Sequence, residues 1–172
     1  MLAAPKQALR RSATLGGIFP DLRAGRLREA ARRVHDIHGG DLARSLRSDP
    51  AGAARALRAF PVVGEPGADR ILMMAGLSPV LGLDANAVRV LLRLGYGKET
   101  GNFARDYGSA RDAAARRIPE DPGHRARAFL LLKRHGKETC RRSRPACPTC
   151  PVRNACAYFK AMGNDPGGGA RI

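Results

Sequence analysis

The sequence predicts an all-α fold, and three observations lead to that prediction. Ala, Leu and Arg dominate the 172 residues, whereas aromatic residues make up 5% and Trp is absent. This composition favours helix over sheet. Apolar residues recur at spacings of three and four, which is the helical period. No convincing strand and no internal repeat interrupts the pattern.

Two helices are predicted in the first part of the chain. Residues 25–38 carry apolar side chains at helical spacing, and Gly39-Gly40 ends this helix. Ser48-Asp49-Pro50 begins the next helix, because Pro is favoured in the first turn, and Pro61 ends it. Residues 1–18 are basic and are expected to be flexible. The side chains expected to face the core from the second helix are Ala54, Leu57 and Phe60.

A turn rich in Gly and Pro follows this helix. Residues 61–67 contain two prolines and two glycines, too many for a helix or a central strand. Helix resumes over residues 68–74, so a helix–turn–helix is expected at about residues 53–76. After a further loop, Asp84 stands where an N-cap belongs, ahead of an apolar run that stops at Gly95.

The C-terminal part is predicted to contain two more helices and a cysteine-rich loop. The helices are expected at residues 101–116 and 122–135, and the loop at residues 140–156. Residues 161–172 include Pro166 and three consecutive glycines, so we expect a disordered tail there.

The charge of the chain points to a polyanionic partner. Lys and Arg number 31 against 15 acidic residues, for a formal net charge of +16. Nearly all of this charge is arginine, whose planar fork of donors matches phosphate. DNA or RNA is the first candidate partner, although a genome biased towards Arg and Ala codons also raises the arginine count. No signal peptide or membrane span is apparent, so we expect a cytoplasmic, nucleoid-associated protein with no membrane partner.

Four cysteines form a compact metal-binding pattern. Cys140, Cys147, Cys150 and Cys156 are separated by six, two and five residues. Cytosolic thiols stay reduced, so clustered cysteines indicate a metal site rather than disulfides. Thiolates suit both iron–sulfur clusters and zinc, and the short spacing favours a [4Fe–4S] cluster over a structural zinc ion. The arginines between the ligands are expected to contact phosphates or to offset the charge of the cluster; they are Arg141, Arg142, Arg144 and Arg153.

Three segments resemble the endonuclease III superfamily of DNA repair glycosylases, and the resemblance extends over residues 18–159. The cysteine loop, with the helix that leads into it from His135, is similar to the family's cluster loop. Residues 83–90 contain Asp84, Asn86 and Arg89 at the family's spacing, in a form closest to the adenine-mismatch glycosylases. Residues 60–64 are similar to the family's Leu-Pro-Gly-Val-Gly hairpin, with Val62 in place of the first glycine.

The resemblance implies an architecture and a set of roles. It implies a helix-hairpin-helix DNA glycosylase-like fold: a partial helical barrel at residues 19–100 and a helical lobe with the iron–sulfur loop at residues 101–160. Asp84 would be the catalytic carboxylate, with the structural alternative that it only caps a helix. The residues that would contact DNA are Val62, Val63, Gly64, Asn86, Arg89, Arg141, Arg142 and Arg144. The implied cluster ligands are Cys140, Cys147, Cys150 and Cys156.

Two departures from the family pattern qualify the implied activity. Pro66 stands where the strand-cleaving members carry a nucleophilic lysine, so a monofunctional glycosylase without efficient lyase activity is expected. Family members also carry further helices before this point. We expect that the recorded start at Met1 is too late; a degraded gene copy or a second chain that completes the barrel are the alternatives. The sequence thus predicts base-excision repair by an enzyme. A catalytically inactive iron–sulfur DNA-binding module and a zinc-stabilised nucleic-acid-binding protein remain as alternatives.

Overall fold

The computed structural model describes residues 1–163, and this range contains helices but no strand. The all-α prediction is confirmed. The α-helices are α1 (Lys6–Thr14), α2 (Pro20–His38), α3 (Leu42–Ser48), α4 (Pro50–Arg58), α5 (Glu65–Met74), α6 (Ala85–Leu94), α7 (Phe103–Ala115), α8 (Pro122–Glu138) and α9 (Ala157–Gly163). Of the tail predicted at residues 161–172, the first three residues belong to α9, and the rest lie outside the described residues.

Aspartate side chains begin four of these helices. Asp41, Asp49, Asp84 and Asp121 each accept a hydrogen bond, 2.8–2.9 Å long, from the backbone N–H three residues later. Such an N-cap is worth about 1 kcal/mol, because it satisfies a backbone donor that the helix leaves unpaired. The starts that the sequence predicts at Asp49-Pro50 and at Asp84 are therefore confirmed.

The chain divides into two compact units, Met1–Ala68 and Asp69–Ile172. The boundary near residue 100, between a partial barrel and a helical lobe, stays a prediction. In the first unit, Leu9 and Ala13 of α1 are buried together with Ala24 of α2. The expectation of a flexible segment at residues 1–18 is therefore wrong for Lys6–Thr14, because this stretch has an apolar face that α2 covers.

The core of the second unit forms around α6. Its apolar residues fall at helical spacing, so Ala87, Val88, Val90 and Leu91 are all buried. Helices α7 and α8 supply Tyr107 and Phe129 to the same core. Helix α8 approaches the first turn of α6 closely, because Gly136 has no side chain: a Cβ there would lie 2.9 Å from Asn86 Cβ. This approach brings the cysteine loop, which starts at the end of α8, next to α6.

Candidate metal centre and DNA-binding residues

The four cysteines line one cavity of the second unit, beside α6, α8 and α9. All four are free thiols; Cys156 is buried and the other three are half-buried. Apolar residues complete much of the wall, among them Val90, Leu94, Val152 and Phe159. The structure thus brings together the four residues that the sequence singles out as metal ligands.

The thiols influence one another within this cavity. Burial raises the pKa of Cys147 above its usual value, and the negative charges of Cys140, Cys156 and Cys150 raise it further, whereas Arg93 opposes the effect. In the described range 1–163, no group of three or more His, Cys, Asp or Glu side chains is placed so that it could hold a metal ion.

Arg89 ties the middle of α6 to the start of the cysteine loop. Its Nη2 donates to the Gly136 carbonyl at 2.7 Å and to Asn86 Oδ1 at 3.0 Å, and its Nε donates to the Cys140 carbonyl at 3.0 Å. Burial lowers the pKa of Arg89, and the charge of Arg93 adds to this effect. The structure therefore gives Arg89 and Asn86 partners within the molecule. Their predicted contact with DNA stays a prediction.

Arg93, one helical turn further along α6, reaches the same loop. Its Nη1 donates to Cys140 Sγ at 3.3 Å and to the Arg141 carbonyl at 2.8 Å, and its Nη2 donates to the Arg142 carbonyl at 3.0 Å. The guanidinium also lies over the ring of Tyr158 in α9, 4.7 Å from the centroid. Arg93 thus connects α6 with the segments at both ends of the cysteine loop.

Asp84 occupies the N-cap of α6 with a half-buried side chain. Its Oδ1 accepts the Ala87 N–H at 2.9 Å. The residue before it is also held in place, because Arg70 donates to the Leu83 carbonyl at 2.8 Å. Asp84 is therefore a fixed carboxylate at the positive end of a helix.

The predicted hairpin belongs to the first unit and has an unusual backbone at Val62. This residue has a φ of 63°, in the left-handed region that favours glycine, and its side chain is 74% exposed. Gly64 accepts hydrogen bonds from Gly67 and Ala68, each 3.0 Å long, and so begins α5. The hairpin thus keeps the backbone conformation that a glycine would adopt at residue 62.

Comparison with known proteins gives no match to a family model. Two curated relatives are similar in sequence. A thymine-DNA glycosylase of Aeropyrum pernix is 26% identical over 137 residues, which cover 80% of this chain and 58% of the relative. An endonuclease III of Thermotoga maritima is 25% identical over 141 residues, covering 82% and 59%. The chain therefore spans less than two thirds of the length of these relatives.

Solved structures agree with this likeness. A trapped covalent intermediate of endonuclease III with DNA superposes with a TM-score of 0.74 at 20% identity, covering 94% of this chain and 69% of that one. A thermostable thymine-DNA glycosylase superposes with a TM-score of 0.70 at 25% identity, covering 93% and 68%. The chain has the endonuclease III fold. Its resemblance to the endonuclease III superfamily is thereby confirmed.

Two parts of this endonuclease III fold were not anticipated from the sequence. One is the contact of Arg93 with the cysteine loop. Arg93 lies four residues after Arg89, on the same face of the helix, and this spacing could have indicated the contact. The other is a buried polar group: Tyr107 donates to Asp69 Oδ2 at 2.6 Å, and Arg111 lies 3.4 Å from the same oxygen. Burial raises the pKa of Tyr107 far above its usual value, and the hydrogen bond to Asp69 raises it further.

No helix in residues 1–163 is long and apolar enough to cross a membrane.

Proposed function

We propose that this chain is a DNA N-glycosylase of base-excision repair, which hydrolyses the bond between a damaged or mismatched base and its deoxyribose. The observation that carries the proposal is Asp84, a half-buried carboxylate at the start of α6 in an endonuclease III fold. The similar proteins named thymine-DNA glycosylase and endonuclease III support the same class of substrate.

Asp84 is suited to assist the departure of a base. As the glycosidic bond breaks, positive charge develops on the sugar, and a nearby carboxylate stabilises it or orients the attacking water. An ionised carboxylate offers about four lone-pair sites, so the hydrogen bond from Ala87 leaves acceptor capacity. That bond holds the carboxylate in one orientation, which reduces the reorganisation needed during the reaction.

Double-stranded DNA is the proposed partner. The net charge of +16 attracts a phosphate backbone at long range. The backbone at Val62, Val63 and Gly64 precedes the N-terminus of α5, where N–H groups favour an anion. On the cysteine loop, Arg141, Arg142 and Arg144 are exposed and add positive charge. Since DNA is the substrate, we place the protein in the cytoplasm at the nucleoid. The comparisons give no support to a second chain, and the proposal does not include one.

The four cysteines are proposed as ligands of a [4Fe–4S] cluster. Their thiolates are soft donors around one cavity, which fits iron–sulfur chemistry. A structural zinc site with four cysteines usually draws them from two pairs separated by a longer spacer. The short spacing of these four cysteines within one loop therefore favours the cluster over zinc. When bound, the cluster supplies cross-links that join the loop's two ends. Iron analysis and absorption near 400 nm after anaerobic purification test this assignment; a colourless protein with stoichiometric zinc would refute it.

Pro66 makes a monofunctional enzyme the proposed form. Residue 66 lies in the first turn of α5, at the position where strand-cleaving relatives carry lysine, and proline has no amine to attack the sugar. Product strands should therefore stay intact until alkali cleaves the abasic site. Covalent trapping of the protein on DNA by borohydride, through an amine elsewhere in the chain, would contradict the proposal.

Asp84→Asn tests the catalytic role separately from the capping role. Asn caps a helix about as well as Asp but carries no charge. Asp121→Asn is the matched control, because Asp121 caps α8 in the same way. On a panel of lesion-containing duplexes, wild type and Asp121→Asn should produce abasic sites, and Asp84→Asn should lose at least a hundredfold in single-turnover rate, in the range of acid–base contributions. Equal inactivity of all three proteins with DNA binding intact would favour the non-catalytic binding module.

A further inference from the structure

Arg93 makes a set of contacts that the proposed function leaves unused. It is a half-buried cation in the wall of the cysteine cavity, and it touches both the first and the last cysteine. Its Nη1 donates to Cys140 Sγ at 3.3 Å, and its backbone carbonyl accepts the thiol of Cys156 at 3.2 Å. Arg89, by contrast, reaches only backbone carbonyls of this segment and an amide oxygen within its own helix.

The bond to Cys140 Sγ has an electrostatic consequence for anything the thiolates bind. A charged donor forms stronger hydrogen bonds than a neutral one. An electron added to a thiolate-ligated cluster increases the negative charge on the sulfurs, so a cation that donates to one of them stabilises the reduced form more than the oxidised form. Val90, Leu94 and Phe159 are apolar residues of the same cavity wall, and apolar surroundings strengthen an interaction between charges.

The remaining contacts of Arg93 hold the guanidinium in place. Two carbonyls, those of Arg141 and Arg142, accept from its two terminal nitrogens at 2.8 and 3.0 Å. The ring of Tyr158 also contacts the guanidinium, whose carbon lies 4.7 Å from the ring centroid. A lysine carries the same charge on a single ammonium group but does not reproduce this planar fork, so the position of the charge depends on arginine.

We propose that Arg93 is a positioning residue of the cysteine loop that raises the reduction potential of the cluster and slows its loss. The inference rests on the proposed cluster but not on glycosylase activity. It assigns to Arg93 two separable effects: a charge beside Cys140, which acts on the potential, and a clamp on residues 141–142, which acts on cluster retention.

Three variants of the full chain test this inference after anaerobic purification. Arg93→Met removes the charge and the donors but keeps a long, helix-compatible side chain. Arg93→Lys keeps the charge without the fork. Arg105→Met removes the same charge from an exposed residue of α7 and is the matched control, because solvent and salt screen its effect. The midpoint potential of the one-electron couple is measured on an electrode that supplies the electron, and cluster loss is followed near 400 nm in EDTA.

In Arg93→Met, the ratio of reduced to oxidised cluster at a given potential should fall about tenfold. This corresponds to a midpoint potential about 59 mV lower for a one-electron couple. The cluster of this variant should also be lost several-fold faster. Arg93→Lys should lie between wild type and Arg93→Met, and Arg105→Met should match wild type. If iron is present and Arg93→Met shifts the potential no more than Arg105→Met, the inference is wrong although the cluster assignment stands. If the wild type contains no iron, the inference about Arg93 and the cluster assignment are both wrong. Glycosylase activity in that iron-free protein would still support the proposed function.

Discussion

Replacing Gly136 with alanine tests the close packing of α8 on α6. A Cβ at residue 136 would lie 2.9 Å from Asn86 Cβ and 3.0 Å from the Asn86 carbonyl oxygen. These atoms belong to the first turn of α6 and cannot rotate away, so the two helices must separate. The hydrogen bond from Arg89 to the Gly136 carbonyl, 2.7 Å long, would be strained by that separation.

The magnitude follows from two opposing terms. Alanine stabilises a helix interior by about 1 kcal/mol relative to glycine. Overpacking a rigid contact costs about 1–3 kcal/mol, and the contact with backbone atoms places Gly136→Ala near the upper part of that range. We therefore expect a net loss of about 1–2 kcal/mol in the free energy of unfolding.

Gly108→Ala is the control for this prediction. Gly108 lies inside α7, and a Cβ added there meets no atom within 4 Å. This variant should gain about 1 kcal/mol, so the two substitutions should differ by about 2–3 kcal/mol, or about 4–12 °C in Tm for a chain of this size. Thermal unfolding followed by far-ultraviolet circular dichroism measures the difference. A Gly136→Ala variant that is as stable as Gly108→Ala would refute the close approach of α8 to α6.

For two further substitutions, the structure predicts whether stability rises or falls. Val62→Gly should stabilise the chain by about 0.5–1 kcal/mol. The left-handed conformation costs a β-branched residue about 1–2 kcal/mol, and the greater freedom of glycine in the unfolded state offsets about half of the gain from removing that cost. A lower Tm for this variant would contradict the left-handed conformation at residue 62. Tyr107→Phe should cost about 1–3 kcal/mol at neutral pH, because Asp69 loses a buried donor. Since the pKa of Tyr107 is raised on folding, the wild type should lose stability as pH rises above about 10, and Tyr107→Phe should lose less over that interval in denaturant titrations.

Local signals account for much of the helical architecture. Asp49-Pro50 and Asp84 mark helix starts and Gly39 marks a helix end, because caps act on neighbouring backbone groups and are visible in a few residues. Helix α3 was missed because its seven residues are too few for a clear period, although Asp41 offers a cap signal. Helix α1 was missed because its basic residues obscure the apolar positions Leu9 and Ala13.

The sequence by itself determined the all-α class, the position of Asp84 at a helix start and the spacing of the four cysteines, because each depends on residues close together in the chain. Only the tertiary structure decided how the cysteine loop is held. Arg93 and Cys140 are 47 positions apart, and Tyr107 and Asp69 are 38 apart. No local period relates such residues. Their contacts exist because Gly136 lets α8 approach α6 and because the core of the second unit places α7 beside the start of that unit.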